Sequence, residues 1–237
     1  MTQIKRLAVA AIVLGAALIM LNAGFASAIR DMAGLPDQHA LEQGAPPPGS
    51  LRDVRVVEDR PSVPGYDRDC GTEGACAFGP AWSDAVTVTG GHNGCDTRND
   101  ILRRDLHDVA LEPGTNDCTV LSGTLTDPYT GERVIFDRHK DPAGIQIDHV
   151  IALAAAWDHG AAEWTPELRQ DFANDPANLQ ATTGRVNQSK GDKTPAEWMP
   201  NTGQCQYART YTTVTASYGL TISGADAREL DAALSTC

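Results

Sequence analysis

The chain carries little positive charge. Its 237 residues include 19 lysines and arginines against 31 aspartates and glutamates, a formal net charge of −12. Proteins that hold nucleic acid tightly usually present a basic surface that neutralises phosphate groups. The composition therefore argues against a tight, non-catalytic DNA-binding protein, and we interpret the acidity as a solubility feature. It does not exclude an enzyme, because an enzyme that must release its product needs no large basic face.

The sequence also lacks the paired cysteine knuckles of a structural zinc site. Cys70 and Cys76 form a close pair, and no second close pair complements them. The cysteines number six, an even count that suits a disulfide framework but leaves the connectivity open. Pairings within short loops are favoured, and these are Cys70–Cys76, Cys95–Cys118 and Cys205–Cys237.

A single long hydrophobic run is present, near the start of the sequence. Lys5 and Arg6 precede the uncharged run Leu7–Leu21, and Ala26-Ser27-Ala28 matches a small-x-small cleavage pattern. This arrangement predicts a secretory signal peptide over residues 1–28, with an uncleaved N-terminal anchor as the alternative. We therefore expect a secreted protein that is not stably inserted in a membrane after cleavage, in agreement with the disulfides.

Composition divides the remaining chain into two parts. Residues 29–65 contain Ala45-Pro46-Pro47-Pro48-Gly49-Ser50 and predict a Pro-rich linker or arm, in which Leu51–Glu58 has the composition of a short strand or arm. Residues 66–237 are then expected to form one folded domain. No internal repeat is visible in the sequence.

Sequence patterns within residues 66–237 predict an α+β fold with more helix than strand. Strands are expected at Ala85–Thr89, in a hairpin over Thr119–Phe136 and at Asn178–Thr182. Helices are expected at Arg98–Val109, Val150–Trp157, Thr165–Asn174, a short segment from about Arg185, Cys205–Tyr218 and Gly224–Leu234.

An Asp-His pair follows the β-branched, apolar end of a predicted strand and suggests a hydrolytic site. Hydrolysis of a phosphodiester needs a base that takes a proton from water, and the ordinary pKa of histidine, ~6.5, suits His149 to this task. Asn178 opens the next short strand and would hold the imidazole in position, through its side chain or its backbone. Neighbouring side chains on a strand point to opposite faces, so Asp148 and His149 can share one site if the strand ends or bends there.

The oxygens of two further side chains suit a divalent metal. The carboxylate of Asp148 and the side-chain carbonyl of Asn187 are hard ligands of the kind that Mg²⁺ takes, and Mn²⁺ can substitute for it. Such an ion would neutralise charge on the phosphate and the leaving oxygen. Lys190 and Arg185 flank Asn187, and either cation could meet a phosphate of the substrate, as could Arg98.

Each of these residues also has a structural interpretation. Asp148-His149 could be a hydrogen-bonded pair at a strand end, Asn178 a turn residue and Asn187 a helix N-cap. Lys190 could lie on a solvated helix end. Arg98 could pair with a nearby acid, Asp100 or Asp105. The tryptophans at positions 157, 164 and 198 are read as core residues rather than base-stacking platforms.

The ordered set of short segments resembles secreted HNH endonucleases that share a domain with the C-terminal part of GmrSD modification-dependent restriction enzymes. The resemblance covers roughly residues 66–220. Its segments are Cys95–Arg98, Asp127–Gly131, Ile147–Leu153, Phe172–Leu179, Asn187–Asp192 and Pro195–Pro200.

The resemblance implies a ββα-metal core, also called an HNH or His-Me finger core, within a mostly helical, disulfide-stabilised domain. It implies that His149 is the general base, Asn178 the middle Asn of the motif and Asn187 the residue at the position of its final His. Asn at that position departs from the literal motif and is similar to the HNH domain of RNA-guided CRISPR nucleases. The departure favours Mg²⁺ over Zn²⁺ or Ni²⁺, which prefer imidazole ligands.

The sequence thus predicts a secreted, metal-dependent HNH endonuclease that hydrolyses DNA, with RNA as a further substrate. The alternative is a catalytically inactive module of the same fold that binds a cell surface. A third interpretation is a toxin-like effector nuclease, for which an immunity partner would be expected.

Overall fold

A computed structural model describes residues 49–68 and 76–237, which belong to one compact unit, Pro48–Cys237. This unit mixes helices and strands. The strands are β1 (Arg55–Val57), β2 (His107–Leu111), β3 (Val120–Thr126), β4 (Arg133–Asp137), β5 (Ile145–His149), β6 (Leu179–Thr183) and β7 (Thr221–Ser223). The α-helices are α1 (Thr97–Asp105), α2 (Leu153–Asp158), α3 (Pro166–Asn174), α4 (Gly184–Lys190), α5 (Gln204–Ser217) and α6 (Gly224–Leu234).

Local sequence accounts for several of the helix boundaries. The side chain of Thr165 accepts a hydrogen bond from the Leu168 amide, and Pro166 occupies the first turn of α3, as the sequence predicts. Ser223 and Asp226 form a reciprocal capping box at the start of α6. The predicted hairpin over residues 119–136 is confirmed as the antiparallel pair β3–β4.

Three predicted elements differ from the structure, and one of them, the helix expected from Val150, begins only at Leu153. Ala85–Thr89 is not a strand: its backbone follows turns, and the Thr87 amide donates to the Asp171 carboxylate. The helix expected over Arg98–Val109 ends at Asp105, and the chain continues as β2, which pairs with β3. Strand pairing therefore overrides the helical spacing of Leu106 and Val109.

The described strands form three small sheets. β2, β3 and β4 are antiparallel neighbours, β5 pairs antiparallel with β6, and β1 runs parallel to β7. The last pairing confirms the short strand considered within Leu51–Glu58 and places it inside the compact unit. The sequence places the start of the folded domain near Tyr66, because a parallel partner close to the other end of the chain cannot be read from local sequence.

Two apolar clusters form the core. One joins α1 to β3, β4, β5 and β6, and Ile145 and Ile147 contribute to it from one face of β5. The other joins α2, α3, α5 and α6 and contains Phe172, Tyr207 and Leu230. Because side chains alternate along a strand, Gln146 and Asp148 lie on the opposite face of β5, which α4 covers through Asn187 and Lys190.

Two of the predicted disulfides are confirmed. Cys95 bonds to Cys118, and Cys205 bonds to Cys237. The predicted Cys70–Cys76 pairing involves residue 70, which lies outside the described residues, as does the predicted signal peptide or anchor at residues 1–28. In the described part of the chain, no helix combines the length and apolar character needed to cross a membrane.

Candidate functional site

The antiparallel pair β5–β6 and the helix α4 that follows it carry most of the predicted site. His149 is the last residue of β5 and pairs with Leu179, the first residue of β6. Asn178 directly precedes β6, and Asn187 and Lys190 lie on α4. α4 begins at Gly184, directly after the last residue of β6, so the two paired strands are followed by a helix.

Asn178 holds the turn that follows His149. Its side chain is fully buried, its Oδ1 accepts from the Ile151 amide at 2.8 Å, and its Nδ2 donates to the Ile151 carbonyl at 3.2 Å. Its backbone carbonyl accepts from the Val150 amide. Asn178 therefore acts on the backbone beside His149 and not on the imidazole itself.

The His149 imidazole has a defined tautomer. Its Nε2 lies 2.8 Å from the Ala173 carbonyl oxygen, which only accepts, so Nε2 carries the proton and Nδ1 is the acceptor. Burial is the main cause that lowers its pKa to about 3, and the charges of Arg68 and Lys190 act in the same direction. The ring is thus held as a neutral imidazole whose Nδ1 can accept a hydrogen bond.

An aromatic ring covers the imidazole. The Trp82 ring is nearly parallel to it, with an interplanar angle of 15° and centroids 6.0 Å apart. Trp82 has a φ of +57°, a left-handed backbone conformation that is costly for a bulky residue. Strained residues of this kind concentrate at functional sites, and Trp82 lines the pocket beside His149.

Asp148 and Lys190 form a buried ion pair on the other face of β5. Lys190 Nζ lies 2.9 Å from Asp148 Oδ1 and also donates to the His149 carbonyl at 2.7 Å. The Tyr129 hydroxyl donates to Asp148 Oδ2 at 2.8 Å. Burial raises the pKa of Asp148, and the Lys190 ammonium opposes that shift. These contacts hold the backbone at His149 from the face of β5 opposite the imidazole.

The predicted metal ligands do not fit a divalent ion as they are placed. Both carboxylate oxygens of Asp148 accept hydrogen bonds, the side chain is 3% exposed, and a buried ammonium adjoins it. Asn187 donates its Nδ2 to Gln146 Oε1 at 2.9 Å on the face of β5 that is turned away from His149. Among the residues described, no three or more His, Cys, Asp or Glu side chains converge to hold a metal.

The three predicted substrate-binding cations have different environments. Lys190 is fully buried, so the solvated helix end considered for it is wrong, and it faces no open surface. Arg98 donates to the carbonyls of Pro142 and Ile145 and is half-buried. Arg185 is 73% exposed and contacts Glu132 at 3.4 Å, which leaves it accessible to a ligand. Asn187 lies within α4, so its interpretation as an N-cap is also wrong.

Sequence reasoning missed four residues of this region. Trp82 and Arg68 line a pocket beside His149, Asn174 lines the same pocket, and Tyr129 binds Asp148. Tyr129 and Asn174 lie inside two of the short segments that carry the family resemblance, so those segments contained the signal. Trp82 and Arg68 lie in no such segment and have no local pattern.

Comparison with known proteins supports a family assignment. The family model for the C-terminal domain of GmrSD restriction endonucleases matches residues 96–230 of this sequence. An uncharacterised secreted protein of Arthroderma benhamiae is 37% identical over 184 residues, which cover 75% of this chain and 79% of that protein. No solved structure gives a significant match. The chain therefore belongs to the family of the C-terminal domain of GmrSD restriction endonucleases.

Proposed function

We propose that this protein is a secreted endonuclease that hydrolyses phosphodiester bonds of DNA, with His149 as the general base that activates water. The family suggests a nuclease-related function, and the secreted relative and the disulfides fit an extracellular protein. The observation that carries the proposal is the contact of His149 Nε2 with the Ala173 carbonyl oxygen, from which the tautomer of the ring follows. The Ala173 carbonyl engages Nε2–H, so Nδ1 is left as the acceptor of a neutral imidazole.

A general base must be unprotonated before it can act. Burial in the pocket keeps the pKa of His149 low and so keeps Nδ1 unprotonated at neutral pH. No described residue forms a hydrogen bond with Nδ1, in agreement with a base whose partner is water. The ββα order of β5, β6 and α4 is the arrangement that the HNH assignment requires, and the HNH core is part of this proposal.

A positive charge is available next to the base. Arg68 is exposed and lines the same pocket as His149, so its guanidinium can bind a phosphate oxygen in two-pronged geometry. Arg185 on α4 is a further exposed cation, outside the lining of this pocket. A small number of such contacts to phosphate groups binds nucleic acid weakly, which allows product release.

Dependence on Mg²⁺, with Mn²⁺ as a substitute, stays a prediction of the sequence. No step of the proposed reaction runs through a metal, because Asp148 and Asn187 are engaged by Lys190, Tyr129 and Gln146. The assay for function therefore includes the metal as a variable.

The proposal is tested by nicking and linearisation of plasmid DNA with the purified protein, disulfides intact, in Mg²⁺, Mn²⁺ or EDTA. Single-stranded DNA and RNA are run in parallel. His149→Ala is expected to lose cleavage by about 10²-fold or more, the range of general base catalysis. The exposed histidine variant His139→Ala serves as the matched control and should keep wild-type activity.

Retained cleavage in a folded His149→Ala variant would remove His149 from the reaction. Binding of nucleic acid without turnover by the wild-type protein, on every substrate and metal, would instead support the inactive binding module.

A further inference from the structure

The pocket beside His149 has both apolar and polar lining residues. It contains about 430 Å³ of empty space, part of it open to solvent. Phe78, Pro80 and Leu153 are apolar lining residues, whereas His149 and Asn174 carry polar side chains. A space of this kind holds ordered water where two or more polar atoms converge.

Asn174 has a buried acceptor without a partner. Its Nδ2 donates to the Gln170 carbonyl at 2.9 Å, and this bond fixes which end of the amide is nitrogen and which is oxygen. The remaining atom, Oδ1, has no hydrogen-bond partner among the described residues, although the residue is only 2% exposed. A buried acceptor left unpaired destabilises a fold, so its presence calls for a ligand that it binds.

The position of Asn174 relative to His149 suggests what that ligand is. Ala173, the preceding residue, binds the imidazole Nε2, and Asn174 and His149 line the same pocket. Asn174 Oδ1 and His149 Nδ1 are both hydrogen-bond acceptors without a partner among the described residues. A small ligand that binds both atoms must therefore present two donors, as a water molecule does.

We propose that Asn174 Oδ1 and His149 Nδ1 hold one water molecule between them and that this water is the nucleophile. The inference rests on the proposed function. One O–H of the water donates to Asn174 and the other to His149, so an oxygen lone pair is directed at the phosphate that Arg68 holds.

In the step itself, the water oxygen forms a bond to phosphorus while Nδ1 takes the proton. The bond from phosphorus to the leaving oxygen breaks, and that oxygen keeps the electron pair and takes a proton from solvent. His149 then returns its proton to solvent. Asn174 exchanges no proton and only orients the water, a role of the kind in which small misplacements reduce rate strongly.

Two near-isosteric variants separate this role from a structural one. Asn174→Leu removes the acceptor, and we expect kcat to fall by about 10²-fold with KM changed by less than about threefold. Asn174→Asp keeps an acceptor and is expected to retain kcat within about tenfold of wild type. A structural role predicts the reverse order, because Asp loses the bond to Gln170 and places a carboxylate against its carbonyl.

Thermal unfolding gives a second readout. Asn174→Leu should change stability little, because deletion of the buried acceptor Oδ1 offsets loss of the Nδ2 bond to the Gln170 carbonyl. The matched control is Tyr207→Phe, which deletes another buried polar atom without a described partner, the Tyr207 hydroxyl, away from this pocket. It should keep both stability and cleavage. If Asn174→Leu does not fold, Asn174→Ala replaces it with the same expected loss of kcat.

Wild-type kcat in folded Asn174→Leu, together with an inactive His149→Ala, would overturn the role of Asn174 and leave the proposed function standing. Absence of cleavage by the wild-type protein would overturn both. A crystal structure of the wild-type protein should show a water within hydrogen-bond distance of both atoms, and a pocket with no such water would also overturn the inference.

Discussion

Lys190 and Asp148 form an ion pair that solvent does not reach, with Nζ 2.9 Å from Oδ1 and side chains that are 0% and 3% exposed. The same ammonium binds the His149 carbonyl. The face of β5 opposite the imidazole is thus fixed by charge. Lys190, which the sequence suggested for substrate binding, supports the backbone of His149.

Removing one partner of this pair should destabilise the protein strongly. Lys190→Met leaves the Asp148 carboxylate buried without its counter-ion, a change that costs about 3–5 kcal/mol in the free energy of unfolding. Urea denaturation measures it. The exposed pair Arg185–Glu132 provides the control, and Arg185→Ala should cost less than about 1 kcal/mol. The double variant Asp148→Asn with Lys190→Met should recover part of the loss; no recovery would show that the charges are not coupled.

Loss of the Asn178 side chain should loosen the turn after His149. Asn178→Ala removes two buried hydrogen bonds to Ile151, each of which leaves a backbone group unpaired at about 1–3 kcal/mol. Hydrogen exchange of the Ile151 amide should therefore become faster, and cleavage should fall. Asn187→Ala, which loses one half-buried bond to Gln146, should leave Ile151 protected. If the Ile151 amide exchanges as slowly in Asn178→Ala as in the wild-type protein, the side chain of Asn178 does not hold this turn.

Acid should destabilise the fold through its buried histidines. The pKa of His149 is about 3 in the folded protein, and burial also lowers the pKa of His159, whereas both are near 6.5 when unfolded. Stability from these neutral rings is therefore present above pH ~6.5 and is lost as the pH falls. His149 alone should cost about 2 kcal/mol between pH 7 and pH 5.

Urea denaturation at the two pH values measures this loss. His149→Gln should reduce the pH dependence, because glutamine does not titrate. His139→Gln, at an exposed position, should leave it unchanged. If the pH dependence of stability is the same in His149→Gln as in the wild-type protein, carboxylates alone account for the loss of stability in acid.

The C-terminal disulfide should contribute substantially to stability. Cys205 and Cys237 close a loop with a sequence separation of 32, for which chain-entropy arguments give about 3–4 kcal/mol. The double variant Cys205→Ser with Cys237→Ser should lower the melting temperature, and so should reduction of the wild-type protein. Reduction should lower the melting temperature of the variant by less than that of the wild-type protein, because the variant already lacks this bond. An equal decrease in both proteins would contradict a contribution of the Cys205–Cys237 bond to stability.

Local sequence predicted those parts of the fold that local interactions determine. The start of α3 at Thr165 and Pro166, the hairpin β3–β4 and the two described disulfides follow from capping, turn residues and short loops. The strand expected at Ala85–Thr89 and the end of α1 were wrong, because contacts with Asp171 and with β3 decide those segments. Such contacts join residues that are distant in sequence.

The candidate site was likewise predicted only in part. The sequence predicted that a strand with His149, a strand beside Asn178 and a helix with Asn187 follow one another, and the structure has this order in β5, β6 and α4. Sequence did not reveal that Lys190 is buried or that Trp82 covers the imidazole, because burial and stacking depend on the packed chain. The metal role of Asp148 and Asn187 stays a prediction.

The parallel pairing of β1 with β7 also bears on how the protein is made. Arg55–Val57 pairs with Thr221–Ser223, so the first described strand has no partner until nearly all of the chain has been synthesised. Contacts of such high sequence separation form late and slow folding. The complete fold therefore forms only after Thr221–Ser223 has been synthesised, whereas the pairs β3–β4 and β5–β6 join segments that are closer in sequence.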